Sequence, residues 1–281
     1  MQTTIDPVAS EPTARTAWLL SVIRQATAGV FAGAIAGGLA GGLGGRLAMR
    51  VTGLLATDAE QGTLTEADQT VGDVTFGGTL ELVIFGGLLV GLIGGLVYAA
   101  TWRWFGGARG WRGLLFGAYL LAALGWTVIE GDNFDFATLG SVLVNIAMFA
   151  AIFVLFGVLV APLFSWLAAA LPSPGLSVGG IASLPVYALG LLFTVMGLGL
   201  ILQAFGEDGR EAPFYAIIPM FLIVGALLVT WMARREGQPF ARLSDLRGNT
   251  RMLAMGVLAI PLTAGLALGT QSLAQMLGEA Y

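Results

Sequence analysis

Residues 29–50 read GVFAGAIAGGLAGGLGGRLAMR. Gly29, Gly33, Gly37, Gly41 and Gly45 recur at every fourth position, and the next apolar segment carries Gly87, Gly91 and Gly95 followed by Ala99. Residues four apart share one face of a helix. In lipid, a face of such small residues lets two backbones approach closely, and that contact drives helix association. The first segment runs out across the membrane and the second returns, so the two ladders are expected to meet as an antiparallel pair within one chain. Association with a second copy through the ladder is then optional.

Composition sets the class. The chain has 281 residues, of which 57% are hydrophobic and only 11% charged, against about 25% charged in soluble domains. The apolar residues come in long blocks, and runs of about 20 read as membrane-spanning helices. The expected fold is all-α: a polytopic integral membrane protein, a bundle of about seven transmembrane helices. Residues 1–16 are polar, lack the basic and apolar regions of a signal peptide, and read as a flexible cytoplasmic tail. Residues 17–281 form a single membrane domain. The spans are expected at about 26–47, 80–101, 112–130, 139–163, 181–203, 213–233 and 252–276, with the first continuing to Leu55 and the fourth to Leu171.

The absences exclude chemistry. The chain has no Cys and no His, and all 13 basic residues are Arg. No disulfide, thiolate metal site or iron–sulfur cluster can form. Nor can a His-ligated haem or zinc, a Ser–His or Cys–His nucleophile pair, or a lysine Schiff base to retinal or pyridoxal phosphate. No phosphate-loop motif is present, since that motif needs Lys. The Gly131–Asp132 dipeptide lacks the second intramembrane Asp that an aspartyl protease requires. No cofactor is expected, and no catalytic motif is found.

Charge orients the spans. Arg15 and Arg24 precede the first span, Arg103, Arg109 and Arg112 lie between the second and third, and Arg234, Arg235, Arg242, Arg247 and Arg251 between the sixth and seventh. With seven spans all fall on one side, which the positive-inside rule makes cytoplasmic. The N-terminus is then inside and the C-terminus outside, in the plasma membrane. The opposite loops are mainly acidic, with Asp58, Glu60, Glu66, Asp68 and Asp73 in the longest.

Ionisable groups near the outer interface are the candidates for a site. Arg46 and Arg50 extend a second four-residue row, Gly38–Gly42–Arg46–Arg50, on a face adjacent to the main ladder. Glu81 begins the second span and Glu130 ends the third at similar depth. Asn145 lies inside the fourth. Arg46, Arg50, Glu81, Glu130 and Asn145 therefore make a candidate ligand or ion-pair cluster. The competing interpretation has the arginines reaching lipid phosphates and Asn145 bridging helices. Pro162, Pro219 and Pro261 interrupt backbone hydrogen bonds within spans or near their ends. The Arg-rich loop 234–251 is suited to anionic lipid headgroups, and nothing supports nucleic-acid binding. Transport of a small solute or ion is narrowly preferred. The alternatives are an accessory or scaffold subunit packing against other membrane proteins, or against copies of itself, and a lipid-modifying enzyme. A reporter fused after Tyr281 is expected to score extracytoplasmic in a topology assay; a cytoplasmic score would require an even number of spans.

Overall fold

The computed structural model describes residues 14–55, 75–106, 109–128, 141–172, 182–204, 214–238 and 241–280. These form seven helical rods. The first comprises α1 (Ala14–Gly37), a π-helical stretch (Gly38–Leu43) and α2 (Gly44–Leu55). The second comprises α3 (Phe76–Glu81), a π-helical stretch (Leu82–Leu89) and α4 (Val90–Thr101). The third is α5 (Arg109–Leu124), closed by a 3₁₀ turn (Gly125–Thr127). The others are α6 (Val142–Ala170), α7 (Leu184–Ala204), α8 (Phe214–Arg235) and α9 (Gly248–Ala280). The chain is a multi-pass helical membrane protein, and six of the rods are long and apolar enough to cross a membrane on their own. The third begins at Arg109, three residues before the expected 112–130, and its α-helix ends at Leu124, where Gly125 begins the tighter turn. The first rod begins at Ala14, ahead of the expected 26, and ends at Leu55.

The glycine ladders meet. A Cβ built on Gly29 would lie 2.7 Å from the Gly95 carbonyl oxygen and 2.6 Å from the Ala99 Cβ. One on Gly33 would lie 2.6 Å from the Gly95 Cα, and one on Gly37 2.6 Å from the Gly91 Cα. These separations leave no room for any side chain, so backbone touches backbone along the antiparallel pair of α1 and α4. A four-residue row on a 3.6-residue helix drifts around the axis by about 40° per step. The two π-helical stretches face each other where this drift has accumulated. A π turn rotates less per residue, which carries the row back towards its partner. There the contact passes to Gly38 and Gly42: a Cβ on Gly87 would lie 2.8 Å from the Gly42 amide nitrogen and 3.0 Å from the Gly38 Cα. At Gly45 the nearest neighbour is a Leu82 methyl at 3.5 Å, an ordinary van der Waals contact. The helix geometry thus departs from α at the glycine runs, while Pro162, Pro219 and Pro261 lie inside α-helices.

The other rods gather around this pair. The first, fourth, third, seventh, sixth and fifth rods follow one another in contact, and the second packs against the first, fourth, fifth and sixth. A second set of small residues on the first rod, Ala28, Ala32, Ala36 and Ala40, is fully buried, and α1 packs against α6 and α7 as well as α4. The third and fourth rods repeat the glycine device, which the sequence reading did not single out. A Cβ on Gly113 would lie 3.0 Å from the Val158 Cα, and one on Gly157 2.5 Å from the Gly117 Cα.

Gly91→Ala and Gly33→Ala should each destabilise the protein by about 1–3 kcal/mol, the usual cost of overpacking. Gly199→Ala, at a position with nothing within 4 Å of the added Cβ, should be neutral or gain up to about 1 kcal/mol from helix propensity. Thermal midpoints in one detergent will test the difference, and equal midpoints for all three variants would argue against the backbone contact.

Candidate functional site

Four of the five sequence candidates are described, on the first, second and fourth rods. Asn145 is buried in the first turn of α6, at 3% exposure, and its side-chain oxygen accepts a hydrogen bond from the Thr52 hydroxyl at 2.8 Å. This bond joins the fourth rod to the end of the first. Thr52 was missed because a threonine in a helix usually returns its hydroxyl to its own backbone, as Thr101, Thr194 and Thr230 do here. Arg46 is half-buried on α2, while Arg50 one turn later is exposed. Glu81 is exposed at the end of α3. Glu130 lies outside the described residues.

None of Arg46, Arg50, Glu81 and Asn145 lines the apolar cavity between the rods. That cavity has a volume of about 650 Å³, within the range of roughly 300–1,000 Å³ typical of small-molecule sites. Gly37, Gly41, Gly45 and Met49 of the first rod bound one side, and residues from Leu82 to Val97 of the second bound another. Leu120 and Leu124 of the third rod, Phe149, Ile152, Phe153 and Phe156 of the fourth, Leu200 and Ile201 of the fifth, and Pro219 and Leu222 of the sixth add to the wall. The polar side chains on its lining are Thr127 and Gln203. The Thr127 hydroxyl is already donated to the Leu124 carbonyl at 2.7 Å. The glycine faces therefore do two things. They seat α1 against α4, and their bare backbone leaves space on the side turned to α6. The Thr52–Asn145 bond lies about one turn beyond Met49 and Phe149, two residues of the cavity wall.

Towards the Arg-rich end the interior is closed by aromatic side chains. Tyr98 meets Phe116 edge-on with centroids 4.8 Å apart and Phe164 at 5.3 Å, and Phe105 meets Phe116 at 5.4 Å. Tyr119 packs on Phe105 at 5.5 Å, and its hydroxyl donates to the Leu258 carbonyl at 3.1 Å, tying the third rod to the seventh. Such edge-to-face pairs are favourable and hold a defined geometry. The turn after α4 then presents Trp102 and Arg103. Burial pulls the Arg103 pKa down to about 10, so the side chain remains cationic at neutral pH. At the same end Arg234 lies over Trp18 at 5.3 Å and Arg235 over Trp231 at 3.8 Å. The Glu236 carboxylate accepts a hydrogen bond from the buried Thr250 hydroxyl.

Among the described residues no group of three Asp or Glu side chains comes together as a metal site. Comparison with known proteins gives no match: no family model fits the chain, and no curated protein or solved structure is found similar to it.

The Thr52–Asn145 bond has a direct test. Thr52→Val and Asn145→Leu should each lower stability, and a double-mutant cycle should return a coupling of about 0.5–1.5 kcal/mol, the range for interhelical hydrogen bonds in membranes. A coupling of zero would mean that the two side chains do not interact.

Proposed function

We propose that this multi-pass membrane protein binds an apolar, chain-like molecule, such as the hydrocarbon part of a lipid, in the cavity between its first six rods. The observation that carries this reading is the composition of the cavity wall: about 650 Å³ bounded by aliphatic and aromatic side chains and by glycine backbone. A route for an ion or a polar solute needs several oxygen ligands or charged side chains to replace water. The described wall supplies the Thr127 hydroxyl, already donated to its own helix, and the Gln203 amide, and Arg46, Arg50, Glu81 and Asn145 stand outside it. The reading is thus a narrower form of small-solute transport in which the solute is lipophilic. It is equally the property expected of an accessory subunit that holds a lipid for a membrane-protein partner. Hydrocarbon gains nothing by leaving lipid for an equally apolar wall, so selectivity would rest on shape and packing.

The same proposal places the protein in the plasma membrane with its N-terminus inside, because the arginines gather at one end. The loop 234–251 then faces anionic headgroups.

A lipid carrying a photoactivatable group near the end of its acyl chain should label peptides containing Phe149–Phe156 and Leu120–Leu124 in reconstituted protein. Filling the space with Leu124→Trp should reduce that labelling about tenfold without lowering the thermal midpoint. Labelling that is equal in wild type and variant, or confined to outward-facing residues such as Leu143 and Trp166, would refute an internal site.

A further inference from the structure

We infer that Trp102, Arg103 and Arg112 form a binding site for a phosphoryl oxyanion at the Arg-rich end of the bundle, separate from the apolar cavity. Two guanidinium groups share one indole. The Arg103 Cζ lies 4.7 Å and the Arg112 Cζ 5.6 Å from the centroid of the Trp102 ring. Phe164 packs on the ring, with centroids 5.6 Å apart. Arg103 comes from the turn after α4 and Arg112 from the first turn of α5, so both charges reach one indole.

Two of the donor atoms at this place have no acceptor. The Trp102 Nε1 and the Arg112 Nε are both buried from solvent without a hydrogen-bond partner. Both are donors only, since neither indole nor guanidinium carries an acceptor. A buried donor left unpaired is costly, so this site calls for a group that brings acceptor oxygens. The chain has none of the ordinary kind to offer from these rods: no Asp or Glu occurs between Glu81 and Glu130, or between Asp135 and Glu207. The contrast lies at the turn between the sixth and seventh rods, where Glu236 supplies a carboxylate.

Depth selects the anion. Trp102 and Arg103 stand where the second rod ends, at the level of the membrane interface, where Trp is enriched. Phosphoryl oxygens are the anionic groups abundant at that level, and guanidinium binds them through paired, charge-assisted hydrogen bonds. The same oxyanion chemistry is available from an anionic lipid headgroup or from free phosphate, and the experiment separates the two sources.

The full chain, purified in an uncharged detergent, is offered phosphatidylglycerol, phosphatidylcholine or inorganic phosphate. Bound lipid is counted by native mass spectrometry, and the thermal midpoint is read from tryptophan emission. Wild type should retain phosphatidylglycerol about tenfold better than phosphatidylcholine. Arg112→Gln and the double variant Arg103→Gln/Arg112→Gln should lose that preference. Arg242→Gln/Arg251→Gln, in the loop that faces the headgroups, should lower it by less than Arg112→Gln does. Trp102→Phe preserves the ring and removes the N–H, and should weaken the preference severalfold in a folded protein even if the arginine variants do not fold. A midpoint raised by millimolar phosphate in wild type but not in Arg112→Gln or Trp102→Phe would support the site and make free phosphate its ligand. A preference for phosphatidylglycerol unchanged in Trp102→Phe and the arginine variants, or lost only in Arg242→Gln/Arg251→Gln, would overturn the proposal.

Discussion

The structure depends on one contact, the meeting of α1 and α4 backbone to backbone. Lipid tails are as apolar as leucine, so no hydrophobic effect drives two helices together inside a bilayer. What remains is van der Waals attraction, which falls away within an ångström of lost contact. Gly29, Gly33 and Gly37 against Gly87, Gly91 and Gly95 bring the two helices as close as peptide atoms allow. The pair occupies little volume for its length, and the fourth, fifth and sixth rods pack against the second beside it.

The same residues create the cavity. Glycine gives close approach on the face that finds a partner and leaves space on a face that does not. Both π-helical stretches fall in the glycine runs, where the ladder would otherwise rotate out of register, and both border the cavity. Packing and cavity are therefore one feature viewed from two sides. The Thr52–Asn145 hydrogen bond fixes the ends of the first and fourth rods next to that space.

The two ends of the bundle differ in kind. One half holds the apolar cavity. The other is closed by the cluster of Tyr98, Phe105, Phe116, Tyr119 and Phe164, beyond which arginines stack on tryptophans. The hydroxyls of Thr101, Ser165, Thr194 and Thr230 return to their own helices at 2.7–2.9 Å, as they must where water is absent. These four hydroxyls serve their own rods, whereas Thr52 and Tyr119 bond across to another rod.

The sequence by itself determined the membrane class, the approximate positions of the rods and the glycine faces, because these follow from local composition and from periodicity along one helix. It also determined which chemistries are closed to a chain without Cys, His or Lys. Only the tertiary structure decided what those faces touch. It widened the helices at Gly38–Leu43 and Leu82–Leu89, where a straight ladder would have drifted off its partner. It paired Asn145 with Thr52, 93 residues away, and left Glu81 exposed at the end of its helix. It built a second close contact from Gly113, Gly117 and Gly157, and it set two arginines on one tryptophan. Each of these depends on the distance between residues on different rods, a quantity that no spacing within a single rod encodes.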